Sequence, residues 1–381
     1  MTRLPPLSLY IHIPWCVRKC PYCDFNSHAV KDEIPEQAYI KALLNDLQLE
    51  QAAAQGRSIQ TIFIGGGTPS LFSEQAIGQI LDGAHRIIPF ANDIEITMEA
   101  NPGTFEQARF AGFKAAGVNR LSIGVQSFNS AHLTQLGRIH SGADAQKAII
   151  AARKLGFEHL NIDLMHGLPD QTSEQALSDL RTAIDLAPDH LSWYQLTIEP
   201  NTEFFTKPPI IPEDETLWDI QQAGQSLLAA EGFKQYEVSA YALNDQAKAR
   251  HNINYWQFGD YIGIGAGAHG KLSFPEEDSI VRRWKQRSPK SYLQSINPLG
   301  GEQVVAHQDR TFEFMMNALR LIEGVPYEFF EQRTFLDTKR YLEPMLEQAI
   351  SRGLMTNNQQ QIQATAKGQL FLNDLLETFI E

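Results

Sequence analysis

The chain has 381 residues, 43% of them hydrophobic, with 32 Lys and Arg against 45 Asp and Glu and a formal net charge of −13. That length and apolar fraction can build one large domain and a smaller one, which excludes a disordered chain. The acidic balance excludes global electrostatic attraction to nucleic acid.

The first β-branched run is Ser8 to Ile13, and Cys16, Cys20 and Cys23 follow it as the only cysteines of the chain. Further short runs are Thr61 to Ile64, Ile94 to Glu99, Arg120 to Val125, Leu160 to Met165 and Leu191 to Leu196. Amphipathic stretches fall between them: Pro35 to Gln55, Ser73 to Ile87, Phe105 to Ala116, Ala143 to Leu155 and Glu174 to Leu186. This alternation predicts parallel strands joined by helical crossovers, and six βα units favour a barrel or part-barrel over an open sheet. Polar residues punctuate the strand ends: Gly65-Gly66-Gly67-Thr68-Pro69, Glu99-Ala100-Asn101-Pro102, Gln126-Ser127, and Asp163 beside His166-Gly167-Leu168-Pro169. In a parallel barrel such ends converge on one face, the usual place of a site.

Beyond this core, a helix is expected over Ile211 to Gly232, strands over Tyr236 to Leu243 and Tyr261 to Ala268, and a polar connector from Phe274 to Glu302. Helices over Arg310 to Leu321, Tyr327 to Arg333 and Asp337 to Arg352, a hairpin over Leu354 to Ala364 and a last helix over Gly368 to Ile380 resemble a winged-helix order. The fold class is therefore α/β, a partial (β/α)6 TIM-type barrel with a mainly helical, winged-helix-like C-terminal domain. The expected units are a core over 1–235, closing strands and connector over 236–300, and a C-terminal domain over 301–381. The C-terminal stretch Lys339 to Ala349 carries Glu343 and Glu347, so the electrostatic footprint of DNA binding is missing.

No run of about 18 apolar residues could span a bilayer, and Met1 to Leu9 lacks the plan of a secretory signal. An odd number of cysteines in one short stretch argues against disulfides and suits a reducing compartment. A cytoplasmic location is expected, with peripheral membrane contact left open.

Three thiolates at C-x3-C-x2-C spacing can hold three corners of a [4Fe-4S] cube and leave the fourth iron open. The competing reading is structural zinc with His28 as fourth ligand. Closed zinc sites usually join two separated ligand pairs, and one tight loop clamps nothing. Gly263-Ile264-Gly265-Ala266-Gly267-Ala268-His269-Gly270 invites a dinucleotide reading. No helix is expected to open there, so the glycines are read as making room in a closing strand, and His269 stays unassigned.

The pattern Tyr10-x-His12-x-Pro14-x-Cys16-x3-Cys20-x-Tyr22-Cys23 resembles the signature of the radical S-adenosylmethionine (SAM) enzymes of the oxygen-independent coproporphyrinogen III oxidase family. The likeness runs through the barrel into the C-terminal domain. It implies a cluster on Cys16, Cys20 and Cys23, SAM chelating the open iron, and SAM contacts at Tyr10, Gly66, Gly67, Thr68, Glu99, Gln126, Arg138 and Asp163. An electron donor for the cluster is then implied as well. Glycines let backbone approach the SAM aminoacyl group, Glu99 and Asp163 suit its ammonium and ribose, and Arg138 suits its carboxylate.

His251 and Tyr255, spaced i, i+4, resemble the His-Asn-x-x-Tyr motif of the haem-chaperone branch of this family. That likeness makes them haem candidates, with Lys248, Arg250, Arg282 and Arg283 near enough in sequence to answer propionates. Phe25 stands where the oxidases carry a further, non-ligating cysteine, and Cys16 lies too close to Met1 for their longer N-terminal arm. The expected function is therefore haem binding and transfer to haem-dependent acceptors such as respiratory enzymes, with coproporphyrinogen III decarboxylation as the alternative. The SAM site reads as intact and the oxidase activity as doubtful, with no nucleic-acid partner.

Overall fold

The computed structural model describes residues 4–380, with the side chains of 104–106 outside the description. Six strands form its centre: β1 (Leu7–Ile13), β2 (Ile59–Gly66), β3 (Phe90–Ala100), β4 (Arg120–Gln126), β5 (His159–His166) and β6 (His190–Gln195). Each pairs in parallel with the next. Leu7, Leu9, Ile11 and Ile13 of β1 are fully buried and so are Ser8 and, nearly, His12, the two-sided burial that gives parallel strands near-continuous apolar runs.

The crossover helices are α1 (Glu36–Glu50), α2 (Glu74–Ile87), α3 (Thr104–Ala115), α4 (Gly142–Lys154) and α5 (Ser173–Asp185), and α6 (Asp214–Ala230) follows β6. Their starts are written locally. Ser73 caps α2 by accepting from the Ala76 amide, and Ser141 with Asp144 and Thr172 with Gln175 form capping boxes on α4 and α5. Ala76, Ile77, Ile80, Leu81 and Ala84 then make one apolar face of α2 against the sheet.

The expected strand over 236–243 is two strands, β7 (Lys234–Glu237) and β8 (Ala240–Ala242), with β8 antiparallel to β6. Helix α7 (Arg250–Trp256) leads into β9 (Asp260–Ile264), which returns to pair in parallel with β1. The stretch expected to be a connector carries strands and a short helix, Pro289–Gln294. After β10 (His269–Phe274) come β11 (Ser279–Lys285) and β12 (Leu299–Val304), each antiparallel to its neighbour. The twelve-stranded sheet runs β12-β11-β10-β9-β1-β2-β3-β4-β5-β6-β8-β7. It is mixed, and among the described residues β12 and β7 remain edges, so the barrel is partial and does not close.

The C-terminal part is mainly helical, beginning with α8 (His307–Ala318). The helix expected over 337–352 is broken into Thr338–Tyr341 and Glu343–Ser351, with Pro344 in the first turn of the second piece, where a missing N–H is harmless. The expected hairpin over 354–364 reduces to a single Met355–Ala364 bridge, while Gln361–Ile362 pairs with Val325–Pro326. Phe258 and Ile280 share a core with Phe314, Phe330 and Phe379, so residues on both sides of position 300 are packed together. No helix among the described residues is long and apolar enough to cross a membrane.

Candidate functional site

Because β1 to β6 are parallel, the loops after them open on one side, and two adjoining cavities lie there. The first, about 370 Å³, is lined by Cys16, Cys20, Cys23, Gly66, Gly67, Thr68, Glu99, Gln126, Arg138 and Asp163. Seven of the eight residues expected to contact SAM thus meet the three cysteines. The eighth, Tyr10, lines the second cavity, with its hydroxyl 2.9 Å from His12 Nδ1.

The cysteine loop is held by backbone. The His28 amide donates to Pro14 O at 2.7 Å, Val30 to Cys16 O at 2.8 Å, and Cys23 to Cys20 O at 3.1 Å. The amides of Gly67 and Thr68 reach the carbonyls of Ile13 and Trp15, both at 2.7 Å, locking the glycine run against the loop. Gly66 has φ +109°, and a Cβ there would come within 2.4 Å of His12, so only glycine fits. Its amide donates to Glu99 Oε2 at 3.1 Å.

The polar side chains of this cavity are committed to one another. Arg138 donates to Asn101 Oδ1 and to Gly124 O, both at 2.7 Å, and its other terminal nitrogen lies 3.8 Å from Cys20 Sγ. Asn101 donates in turn to Thr68 Oγ1 at 3.1 Å. Asp163 accepts from Ser122 at 2.8 Å and Asn161 at 2.7 Å. Gln126 ends β4 at a bulge with φ +70°, which turns its amide to accept from Tyr194 at 2.7 Å.

Burial pushes the Glu99 carboxyl up to about 8, with Asp163 adding to the shift and the Gly66 amide opposing it. Burial likewise raises Asp163, against its hydroxyl and amide donors and Arg138. Two carboxyl groups facing one space, neither in an ion pair among the described residues, suit a ligand that brings positive charge. Burial raises the Cys16 thiol, opposed by hydrogen bonds from Thr68 and Ser27. Among the described residues no three His, Cys, Asp or Glu side chains converge to hold a single metal ion. The sulfurs line a space instead of enclosing a point, which fits the separate irons of a cube. His28, the fourth ligand a zinc site would need, is exposed and lies outside the cavity lining.

The second cavity, about 770 Å³, adjoins the first across Phe25, Gly66, Glu99 and Trp256. Its walls include Tyr255, Trp256, Tyr261 and Trp284, with His269, Lys271, Arg282 and Arg287 as polar groups. Aromatic walls, a few placed charges and this volume are what a flat organic ligand needs.

Residues 10–183 match the model of the radical SAM superfamily, and residues 305–371 match that of the HemN C-terminal domain. A curated relative from Escherichia coli (strain K12), heme chaperone HemW, is 54% identical over 380 residues, covering 100% of both chains. Its namesake from Haemophilus influenzae is 52% identical, covering 100% of this chain and 99% of that one. The chain belongs to the HemW family of radical SAM proteins. Coproporphyrinogen III oxidase (HemN) from Escherichia coli, described as a radical SAM enzyme, superposes with a TM-score of 0.82 at 25% identity, over 99% of this chain and 90% of that one.

Within this HemW-family chain, the expected haem pair is not presented as the motif suggests. The i, i+4 spacing does lie on a helix, α7, but His251 is fully buried. Its Nδ1 lies 2.9 Å from Thr61 Oγ1 and its Nε2 2.8 Å from the Tyr255 hydroxyl, so both nitrogens are used. Burial takes its pKa down to about 3 and keeps it neutral. Tyr255 alone of the pair lines the larger cavity. Of the four cations expected near propionates, Lys248 pairs with Asp245, Arg250 with Asp93 and Arg283 with Glu50. Only Arg282 reaches the cavity, and it is paired with Glu313.

Sequence reasoning passed over Asn101 and Tyr194 as site residues. Both stand at or just beyond a strand end, the one signal that could have found them. Asn26 was also missed: its amide donates to the carbonyls of Ala266 and Arg287, both at 2.9 Å, tying the cysteine loop to the far wall of the larger cavity.

Proposed function

We propose that this chain binds haem and hands it to haem-dependent acceptor proteins, respiratory enzymes among them. In this reading it carries a [4Fe-4S] cluster on Cys16, Cys20 and Cys23, with SAM exchangeable at the remaining iron. Tyr10, Gly66, Gly67, Thr68, Glu99, Gln126, Arg138 and Asp163 serve SAM, an electron donor serves the cluster, and the protein works in the cytoplasm. The observation that carries the proposal is the pair of adjoining cavities, one holding the cysteines and a self-paired polar network, the other larger and aromatic. The printed names of full-length relatives at 54% and 52% identity support it.

The test is haem titration of the anaerobically reconstituted protein, followed by mixing with an apo haem protein. Saturable binding at the Soret band and transfer to the acceptor are expected. Absence of saturable haem binding sinks the proposal.

The likeness to coproporphyrinogen III oxidase supports a second reading, oxidative decarboxylation of coproporphyrinogen III. Phe25, which fronts both cavities, replaces the oxidases' extra cysteine. Anaerobic incubation with coproporphyrinogen III is expected to leave its carboxyl groups in place, and stoichiometric loss of two would replace the chaperone reading with the enzymatic one.

A further inference from the structure

We propose that His269 is the axial ligand through which this chain holds haem iron in the larger cavity, with Arg287 receiving a propionate; this rests on the haem-carrying reading above. Three histidines compete for the role. His12 lines the cavity, but its Nδ1 meets the Tyr10 hydroxyl and its Nε2 lies 2.9 Å from Asn26 O. His251 sits behind the wall with both nitrogens used. His269 lines the cavity, and among the described residues its imidazole has no hydrogen-bond or ring partner.

The ring is also in the right form. Partial burial first, then Arg282 and Arg287, shift this exposed ring below the usual imidazole range, which favours the neutral form, and neutral imidazole is the ligating species. Coordination then needs only its lone pair and an open axial position on the iron; no proton or electron changes hands.

Its backbone is held by close neighbours. Gly267, at φ +80°, turns the chain just before it, and the Lys285 amide donates to Ala268 O at 2.9 Å. A Cβ at Gly263 would come within 1.9 Å of His269 O, so the glycine of β9 lets the start of β10 lie against it. In register, His269 stands opposite Trp284, whose indole lines the same cavity as Trp256 and Tyr261. A porphyrin held at His269 therefore has aromatic faces to lie on.

Among the cations of the cavity, Lys271 is buried against Asp260 and Arg282 is paired with Glu313. Arg287 is exposed and forms no ion pair among the described residues, which leaves its guanidinium for a carboxylate entering with the ligand.

The experiment is a haem titration of the full chain, as wild type, His269→Ala and His269→Met, with free imidazole added to the alanine variant. Wild type is expected to give a histidine-ligated Soret band. In His269→Ala the band should shift and the affinity fall about tenfold or more, and free imidazole should restore the band. His269→Met should give a different, thioether-type band. A wild-type band in both variants overturns the assignment and leaves the haem-carrying reading standing. A wild-type protein that binds no haem overturns both.

Discussion

The two cavities share a wall and are built on opposite plans. The cysteine cavity sits at the ends of parallel strands, where Arg138, Asn101, Thr68, Asp163, Ser122, Asn161, Gln126 and Tyr194 are hydrogen-bonded to one another. The larger cavity is walled by α7 and the antiparallel strands β9 to β11, and its rings leave His269 and Arg287 uncommitted. A prewired polar site loses little entropy when a cofactor arrives and suits a resident. A greasy site with few fixed partners holds a ligand mainly by area, and such a ligand can leave without breaking many directed bonds.

The sharpest test of this division is Cys20→Ser. Complete loss of the cluster's visible absorption and of SAM cleavage is expected after reconstitution, with the haem titration unchanged. Loss of haem binding as well would make the cavities one site.

Arg138→Ala comes next. It removes the link joining Asn101, the Gly124 carbonyl and Cys20, so SAM affinity should fall about 100-fold, close to 3 kcal/mol by calorimetry. An equal fall in haem affinity would dissolve the contrast.

Glu99→Gln probes the shared wall. The folded carboxyl titrates near 8, above its ordinary 4.5, so the folded state holds the extra proton in this window. Its stabilising contribution is full below about pH 4.5 and is lost as pH rises through 8. In the ligand-free protein the glutamine variant should therefore lose less stability from pH 5 to 8. A gain of about 2 kcal/mol at pH 8 is expected in denaturant melts, less than the full shift implies because the carboxyl fronts a space that water enters. A pH profile parallel to wild type would place the proton elsewhere.

The smallest effect is expected from Tyr255→Phe. It strips the hydroxyl from His251 Nε2 and should cost about 1 kcal/mol of stability while changing haem affinity less than threefold. A tenfold loss of affinity would return the His251 pair to the ligand.

The cysteine cavity was legible in the sequence because its determinants are local. C-x3-C-x2-C lies in one loop, and the glycine run, Glu99, Gln126 and Asp163 each mark a strand that reads as a buried apolar run. The larger cavity was legible only in part, through Tyr255, Arg282 and the glycines of 263–270, for the converse reason. β12 is polar and largely uncovered and β11 is mixed and only partly buried, neither showing the apolar alternation that marks a half-buried strand, so 274–302 resembles a connector. His251 looked available because its partner Thr61 lies 190 positions away, beyond any local pattern. Still longer separations, 240 and 261 positions, hide the Asn26 contacts with Ala266 and Arg287.

β1 lies between β2 and β9, so the first strand waits for a partner some 250 residues downstream. During synthesis its outer edge stays bare until Ile264 has emerged, and the strands that wall the larger cavity come later still. The mouth of the molecule is thus among the last parts to be finished, and a chain interrupted before β9 would offer its cysteines without the wall that Asn26 fastens to them.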